Sequence, residues 1–418
     1  MTVCQLFQRG FCWSAFIWLC VATARGETTA TWPQWRGPNR DGATNGFIAP
    51  KAWPEKLKPL WKISVGAGHA SPLVVGGKIF QHARQDDNEV VLCVDLSTGK
   101  ILWQQSYPAP YSMNFAAFSH GKGPKATPAF ANGKLYTFGI SGILSCFDAA
   151  TGSLKWRKEF SKQFKETSPA FGVSASPLLD NGLCIVNVGG SNQGALMAFD
   201  AETGNMKWNW QGDGPGHASP IVAELAGTRQ VITQTQNFCV GIAAATGQLL
   251  WKIPFTTDYD QNIVTPIISQ GLIIFSGLDK GTFAIKVNKS GTSWTTEQVW
   301  HNKELSMYMN SPVLSGNLLF GMSDRRSGQY FCLDVKTGAT LWTSEGRQGD
   351  NSAMIAAGDF LFLLNDEANL IVAKAGAKTY EPVAKYTVAE SSTWAHPAVI
   401  GKQILVKDKS ALALWSLE

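Results

Sequence analysis

No Cys-x-x-Cys and no adjacent pair of cysteines occurs in this chain, which removes the common zinc frameworks. Charge is sparse, at 16% of residues, and Lys and Arg are scattered without a basic run. That argues against a nucleic-acid partner despite the formal charge of +5. Only six His are present, with no Gly-x-Ser-x-Gly and no His-Glu-x-x-His, so no hydrolase or metalloprotease constellation is visible. Beyond residues 11–22 no apolar run approaches the roughly 20 residues a membrane-spanning helix needs.

That early run is short, is preceded by Arg9 and ends near Ala22-Thr23-Ala24, so residues 1–26 read as a secretory signal. Cys20 follows Leu19 where a lipid-attachment box wants a small residue, which disfavours an anchor. The expected mature protein is exported, periplasmic or extracellular, and without a transmembrane segment. Cys4, Cys12 and Cys20 leave with the signal; Cys93, Cys146, Cys239 and Cys332 recur near one repeat position. Equivalent positions in successive sheets lie beyond the roughly 4.4–6.8 Å Cα window of a disulfide, so small core residues are expected.

What the chain has in abundance is Gly, 41 residues, and Trp, 16 residues, arranged as a repeat. Asp95-Leu-Ser-Thr98-Gly99-Lys-Ile-Leu-Trp103 returns at Asp148–Trp156, Asp200–Trp208 and Asp334–Trp342, and once without its Asp at Ala243–Trp251. Five copies at a period of roughly 40–55 residues specify a repeat architecture. The Asp carboxylate accepts backbone N–H groups just ahead, and Gly supplies positive φ, so each copy is a turn between strands. The residues after Gly alternate, placing one Trp on the buried face of the following strand. Trp103, Trp156, Trp208, Trp251 and Trp342, with Trp61 in the related stretch Pro59–Val65, are expected to fill the space between successive sheets.

Each repeat opens with Ser-Pro or Thr-Pro and a short apolar strand, from Ser71-Pro72 to Ser311-Pro312. Pro is tolerated there because the first residue of a strand need not donate to the ladder. Seven complete four-stranded units begin near residues 70, 126, 175, 218, 264, 310 and 352. The chain then ends on three strands of an eighth, and the orphan strand at 59–65 supplies its fourth. The expectation is an all-β, eight-bladed β-propeller of four-stranded antiparallel blades. Residues 27–58 form a turn-rich leader, residues 59–418 form the propeller, and strand 59–65 closes the ring on the C-terminal blade.

The repeated Asp-x-x-Thr-Gly-x-x-x-Trp resembles the tryptophan-docking blade of the pyrroloquinoline quinone (PQQ)-like propellers, over residues 59–418. That resemblance implies one of two things, a quinone-dependent dehydrogenase of alcohols or sugars or a cofactor-free exported relative. The dehydrogenases use PQQ with calcium, an acidic cluster and, in many, a disulfide between adjacent cysteines. This sequence has no Cys-Cys pair and no matching acidic cluster at the blade entrances, so no catalytic residue, no metal site and no cofactor are assigned.

First strands line the axis of a propeller, so residues just before Ser/Thr-Pro, three back from each Pro, ring one mouth of the channel. They are His69, Lys125, Ser174, His217, Ile263 and Met309, with Asn351 and Trp394 at the equivalent places and His396 beside them. These form the candidate ligand ring. Long connections on the same face carry Tyr107, Tyr111, Asn114, Phe115, Phe118, His120, Phe160, Phe164, Phe171, Asp258, Tyr259 and Asp260. Exposed aromatics there favour an envelope or extracellular protein partner, or a glycan. The leading expectation is a monomeric, non-catalytic binding scaffold; the alternatives are the quinoprotein dehydrogenase and a glycan-binding module.

Overall fold

The computed structural model describes residues 31–418. The expected signal at 1–26 and the first residues of the leader lie outside the described residues. Eight sheets stand around an axis, each built on an antiparallel meander, six of them four consecutive strands and the other two completed or extended by an N-terminal strand. In the first blade, Leu73–Val75 lies innermost, followed by Lys78–Gln85, Asn88–Asp95 and Ile101–Pro108. The ring closes as the sequence implies. Lys58–Ser64 pairs antiparallel with Ala411–Ser416 and completes the blade made by the last three strands. Among the described residues no helix is long and apolar enough to cross a membrane.

The Thr-Gly turns explain how blades bind one another. Asp148 Oδ1 accepts from Thr151 N at 3.0 Å and Thr151 Oγ1 at 3.0 Å, and Asp95, Asp200 and Asp334 repeat the pattern. Gly99, Gly152, Gly204, Gly247 and Gly338 all have positive φ. A Cβ at any of them would lie 2.4–2.8 Å from the indole of the preceding blade. The motif glycine therefore serves two needs at once, a left-handed turn and a flat seat for the neighbour's Trp. Trp61, Trp103, Trp156 and Trp208 then donate Nε1–H to a carbonyl of that same turn, at 2.9, 3.2, 3.1 and 3.0 Å.

Trp251 departs from this scheme, and Trp342 donates to Gly376 O of the seventh blade at 2.8 Å with no Thr-Gly turn there. Trp251 donates to Gln230 of its own blade at 2.7 Å, and the next blade has no Thr-Gly turn. Trp300, absent from the expected set, docks fully onto the sixth blade, donating to Val335 O at 2.8 Å over Gly338. Its own blade lacks the Thr-Gly turn, but the docking partner lies one blade on, and the spacing of Trp in the outer strand was the available signal. In the seventh blade Tyr386 takes the place of Trp, its hydroxyl donating to Pro54 O at 2.9 Å.

The leader does more than precede the propeller. It crosses the axial channel and touches the inner parts of seven blades. Trp32 exchanges backbone hydrogen bonds with Val74, Phe130 N donates to Pro33 O, and Arg40 donates to Pro177 O at 2.8 Å and Ser176 O at 3.2 Å. Trp35 Nε1 donates to Thr265 Oγ1 at 3.0 Å, and Arg36 donates to Pro312 O. Ala43–Thr44 then adds a fifth, parallel strand to the inner edge of the seventh blade, and Thr44 Oγ1 reaches Val399 O in the eighth at 3.2 Å. Trp32, Arg36 and Arg40 are buried. All five cysteines of the described residues are buried and free.

Candidate functional site

The Ser/Thr-Pro openings build a belt around the channel mouth. Ser71 N donates to Thr127 Oγ1 at 3.1 Å, Thr127 N to Ser176 Oγ at 2.9 Å, and Ser176 N to Ser219 Oγ at 2.9 Å. Thr265 N bonds Ser311 Oγ at 3.0 Å, and His396 N bonds Ser71 Oγ at 2.9 Å, which carries the belt across the closure. The hydroxyls of Ser71, Thr127, Ser176, Ser219 and Ser311 thus satisfy the backbone donor of the preceding blade, while that of Thr265 accepts from Trp35.

Above this belt lies a cavity of about 410 Å³. His69, Lys125, Ser174, His217, Ile263, Met309, Asn351 and Trp394 all line it, so the positions three before Pro do converge. His396 stands apart: it is buried beneath, its ring 4.5 Å edge-on from Trp35. Trp35, which sequence reasoning left in the leader, lines the cavity with Ser219, Thr265 and Ser311. No residue pattern near Trp35 announced this, because the contacts are made with segments more than 200 positions away.

The long connections contribute unequally. Tyr107 and Phe160 are buried against the blades, and Phe164 packs on the second core. Phe171 and His120 line the cavity, Phe115 and Phe118 project into solvent, and Tyr259 is largely exposed while also lining the cavity. A short helical turn at Phe115–His120 carries Ala116, Ala117 and His120 to the cavity wall, and Asn114 caps it through Ala116 N at 3.0 Å.

The electrostatics follow from burial. His69 is pushed down to about 3 and His217 to about 4, in both cases chiefly by burial, with Lys125 adding to it. His120 is lowered for the same two reasons. His69 Nε2 lies 2.9 Å from His120 O, which makes it the donor, and Ser174 Oγ lies 2.8 Å from His217 Nδ1. Lys125 Nζ donates to Phe171 O at 2.8 Å, and burial lowers its pKa to about 8. Among the described residues no carboxylate lies within ion-pair distance of Lys125, and no Asp or Glu lines the cavity. At neutral pH the site is therefore an apolar, aromatic chamber with neutral imidazoles and a single cation.

That donor set limits the chemistry. Calcium takes roughly six to eight oxygen ligands, carboxylates prominent among them. The lining offers no carboxylate, and the described residues contain no group of three or more His, Cys, Asp or Glu placed to hold a metal. The quinone-with-calcium arrangement does not fit these residues. The Ser174–His217 contact has the form of a nucleophile–base pair. An imidazole whose conjugate acid sits near 4 is a weak general base, and no carboxylate orients its other nitrogen among the described residues.

Fold and site together define an eight-bladed, tryptophan-docked propeller with one carboxylate-free cavity at its loop-rich mouth. The chain belongs to the family described as outer membrane protein assembly factor BamB, whose model matches residues 86–344. It is 25% identical over 265 residues to the outer membrane protein assembly factor BamB of Shewanella oneidensis, a match covering 59% of this chain and 62% of that one. It is 24% identical over 384 residues to the dehydrogenase subunit of a quinone alcohol dehydrogenase from Gluconacetobacter polyoxogenes. That match covers 82% of this chain but only 47% of the relative, so the chain spans about half its length. Among solved structures, the quinohemoprotein alcohol dehydrogenase ADHIIG of Pseudomonas putida superposes with a TM-score of 0.67 at 13% identity. It covers 93% of this chain and 80% of that one, which is a likeness of fold.

Proposed function

We propose that the protein is an exported, non-catalytic propeller that holds a protein partner of the cell envelope against its loop-rich mouth. One observation carries this reading. The three most exposed large apolar side chains among the described residues are Phe115 (82%), Tyr259 (78%) and Phe118 (64%). All three stand on the two loops that wall the same cavity. Solvent-exposed aromatics gathered beside a preformed hollow are a costly surface unless something covers them, and aromatic residues dominate the energetics of protein contacts. The family model and the Shewanella relative, both named for outer membrane protein assembly, support an envelope partner connected with that process.

The test is recovery of bound protein from solubilised envelope, comparing the wild type with a variant carrying Phe115→Ser, Phe118→Ser and Tyr259→Ser. The reading expects a discrete partner on the wild type and its loss from the variant, with folding unchanged because none of the three side chains is buried. Equal recovery from both would defeat it. The second reading, a quinoprotein dehydrogenase, draws on the Gluconacetobacter relative. It requires dye-coupled oxidation of an alcohol or sugar after addition of PQQ and calcium, and the donor set of the cavity argues against that result.

A further inference from the structure

The cavity is chemically lopsided. Its walls are aromatic and aliphatic, with Phe171, Trp394, Met309 and Ile263, and its single formal charge is the Lys125 ammonium. An ammonium has three N–H donors. One is spent on Phe171 O, at 2.8 Å, and no carboxylate among the described residues answers the charge. Buried cations are ordinarily paired, because an unpaired one loses hydration without recompense. The groups that face it from other elements are His69 of the first blade, His120 of the following connection and His217 of the fourth blade, all held neutral. Lys407 of the last blade stands close enough to His69 to lower it further. Nothing nearby supplies the missing negative charge; everything nearby is neutral or positive.

A cavity of about 410 Å³ is in the range of small-molecule sites, roughly 300–1,000 Å³. Its polar partners beyond Lys125 are neutral, Ser174, Ser219, Gln261, Tyr308 and Asn351 among them, and the Asn351 side-chain oxygen is buried without a partner. We infer that the cavity binds an organic monocarboxylate with an aromatic or apolar body, the carboxylate on Lys125 Nζ and the body against Phe171 and Trp394. A di- or tricarboxylate is disfavoured, since one cation would leave further charges buried without partners. The same chemistry is offered by a free aromatic acid and by the C-terminal residue of a protein chain. This inference rests on the reading of the mouth as a binding surface and names what its hollow takes.

The test is isothermal titration of the full chain with four probes: phenylacetate, phenylacetamide, the peptide acetyl-Ala-Ala-Trp as free acid, and the same peptide as C-terminal amide. At least one acid is expected to bind about tenfold or more tightly than its amide, the scale of a charge-assisted hydrogen bond. Lys125→Met should abolish that preference while Lys125→Arg keeps most of it, with thermal unfolding confirming that both are folded. Affinity for the acid should fall as pH rises above about 8, where Lys125 loses its proton. A peptide acid well ahead of phenylacetate identifies a chain terminus as the source, and parity identifies a free acid. Acids and amides that bind alike, acids that do not bind, or a Lys125→Met variant equal to wild type would each overturn the inference. Should partner recovery depend on Phe115, Phe118 and Tyr259 while Lys125→Met changes nothing, the binding face stands and the carboxylate assignment falls.

Discussion

Replacing Gly204 by Ala tests the blade-docking logic quantitatively. At φ of +71° an Ala is strained, at about 1–2 kcal/mol for an L-residue in the left-handed region. Its Cβ would also sit 2.8 Å from Trp156 Cδ2 and 3.0 Å from Cγ, an overlap costing about 1–3 kcal/mol in a packed interface. The sum is about 2–5 kcal/mol. Trp156→Ala should cost about 3–5 kcal/mol, as it removes a buried indole and its hydrogen bond to Ala201 O at 3.1 Å. In the double variant the overlap vanishes and only the backbone strain introduced by Gly204→Ala persists. The two changes should therefore couple, the pair costing about 1–3 kcal/mol less than the sum of singles. Independent sites add within about 0.3–0.5 kcal/mol, so the effect is resolvable. Urea-unfolding midpoints of the four proteins measure it. Additive losses would refute the claim that this glycine is required as a seat for the neighbouring Trp.

Two further outcomes follow from particular groups. The fourth blade has Ala243 where the other motif copies have Asp, so Ala243→Asp should place a carboxylate to accept from Thr246 and raise stability by about 0.5–1.5 kcal/mol in the same assay. Glu89 is buried between the first two blades, accepting from Tyr107 at 2.9 Å and Ile140 N at 2.8 Å, with His82 at 3.3 Å. Burial alone would raise its pKa, but His82 and these hydrogen bonds outweigh it and hold the carboxyl below its ordinary 4.5. A depressed folded pKa means stability that is fully present above about 4.5 and lost as pH falls below it. Unfolding followed from pH 7 to pH 3 should show that loss, and Glu89→Gln should flatten it.

The architecture was legible because each blade repeats its own turn chemistry locally. Asp148, Thr151, Gly152 and Trp156 lie within nine residues, so their pattern announces both the turn and the buried Trp. The mouth ring was legible for a related reason: strand alternation fixes which side of Ala70 and Ala126 the residues His69 and Lys125 must take. The leader was not legible, since its bonds from Arg40 to Pro177 and from Arg36 to Pro312 join residues 137 and 276 positions apart. No local pattern encodes such contacts. Trp35 became part of the cavity lining, and the leader came to cross the channel, for that reason. The rim aromatics lay between these cases. Sequence named Phe115, Phe118 and Phe160 alike, and only packing separated the buried one from the two in water.

Site-specific photo-crosslinking in the intact envelope tests the binding face most directly. A photoreactive residue would replace Phe118 or Tyr259 at the mouth, or Asn132 in a turn on the opposite face. The account predicts one discrete adduct from positions 118 and 259 and none from 132. Equal labelling from both faces, or adducts from 132 alone, would contradict it.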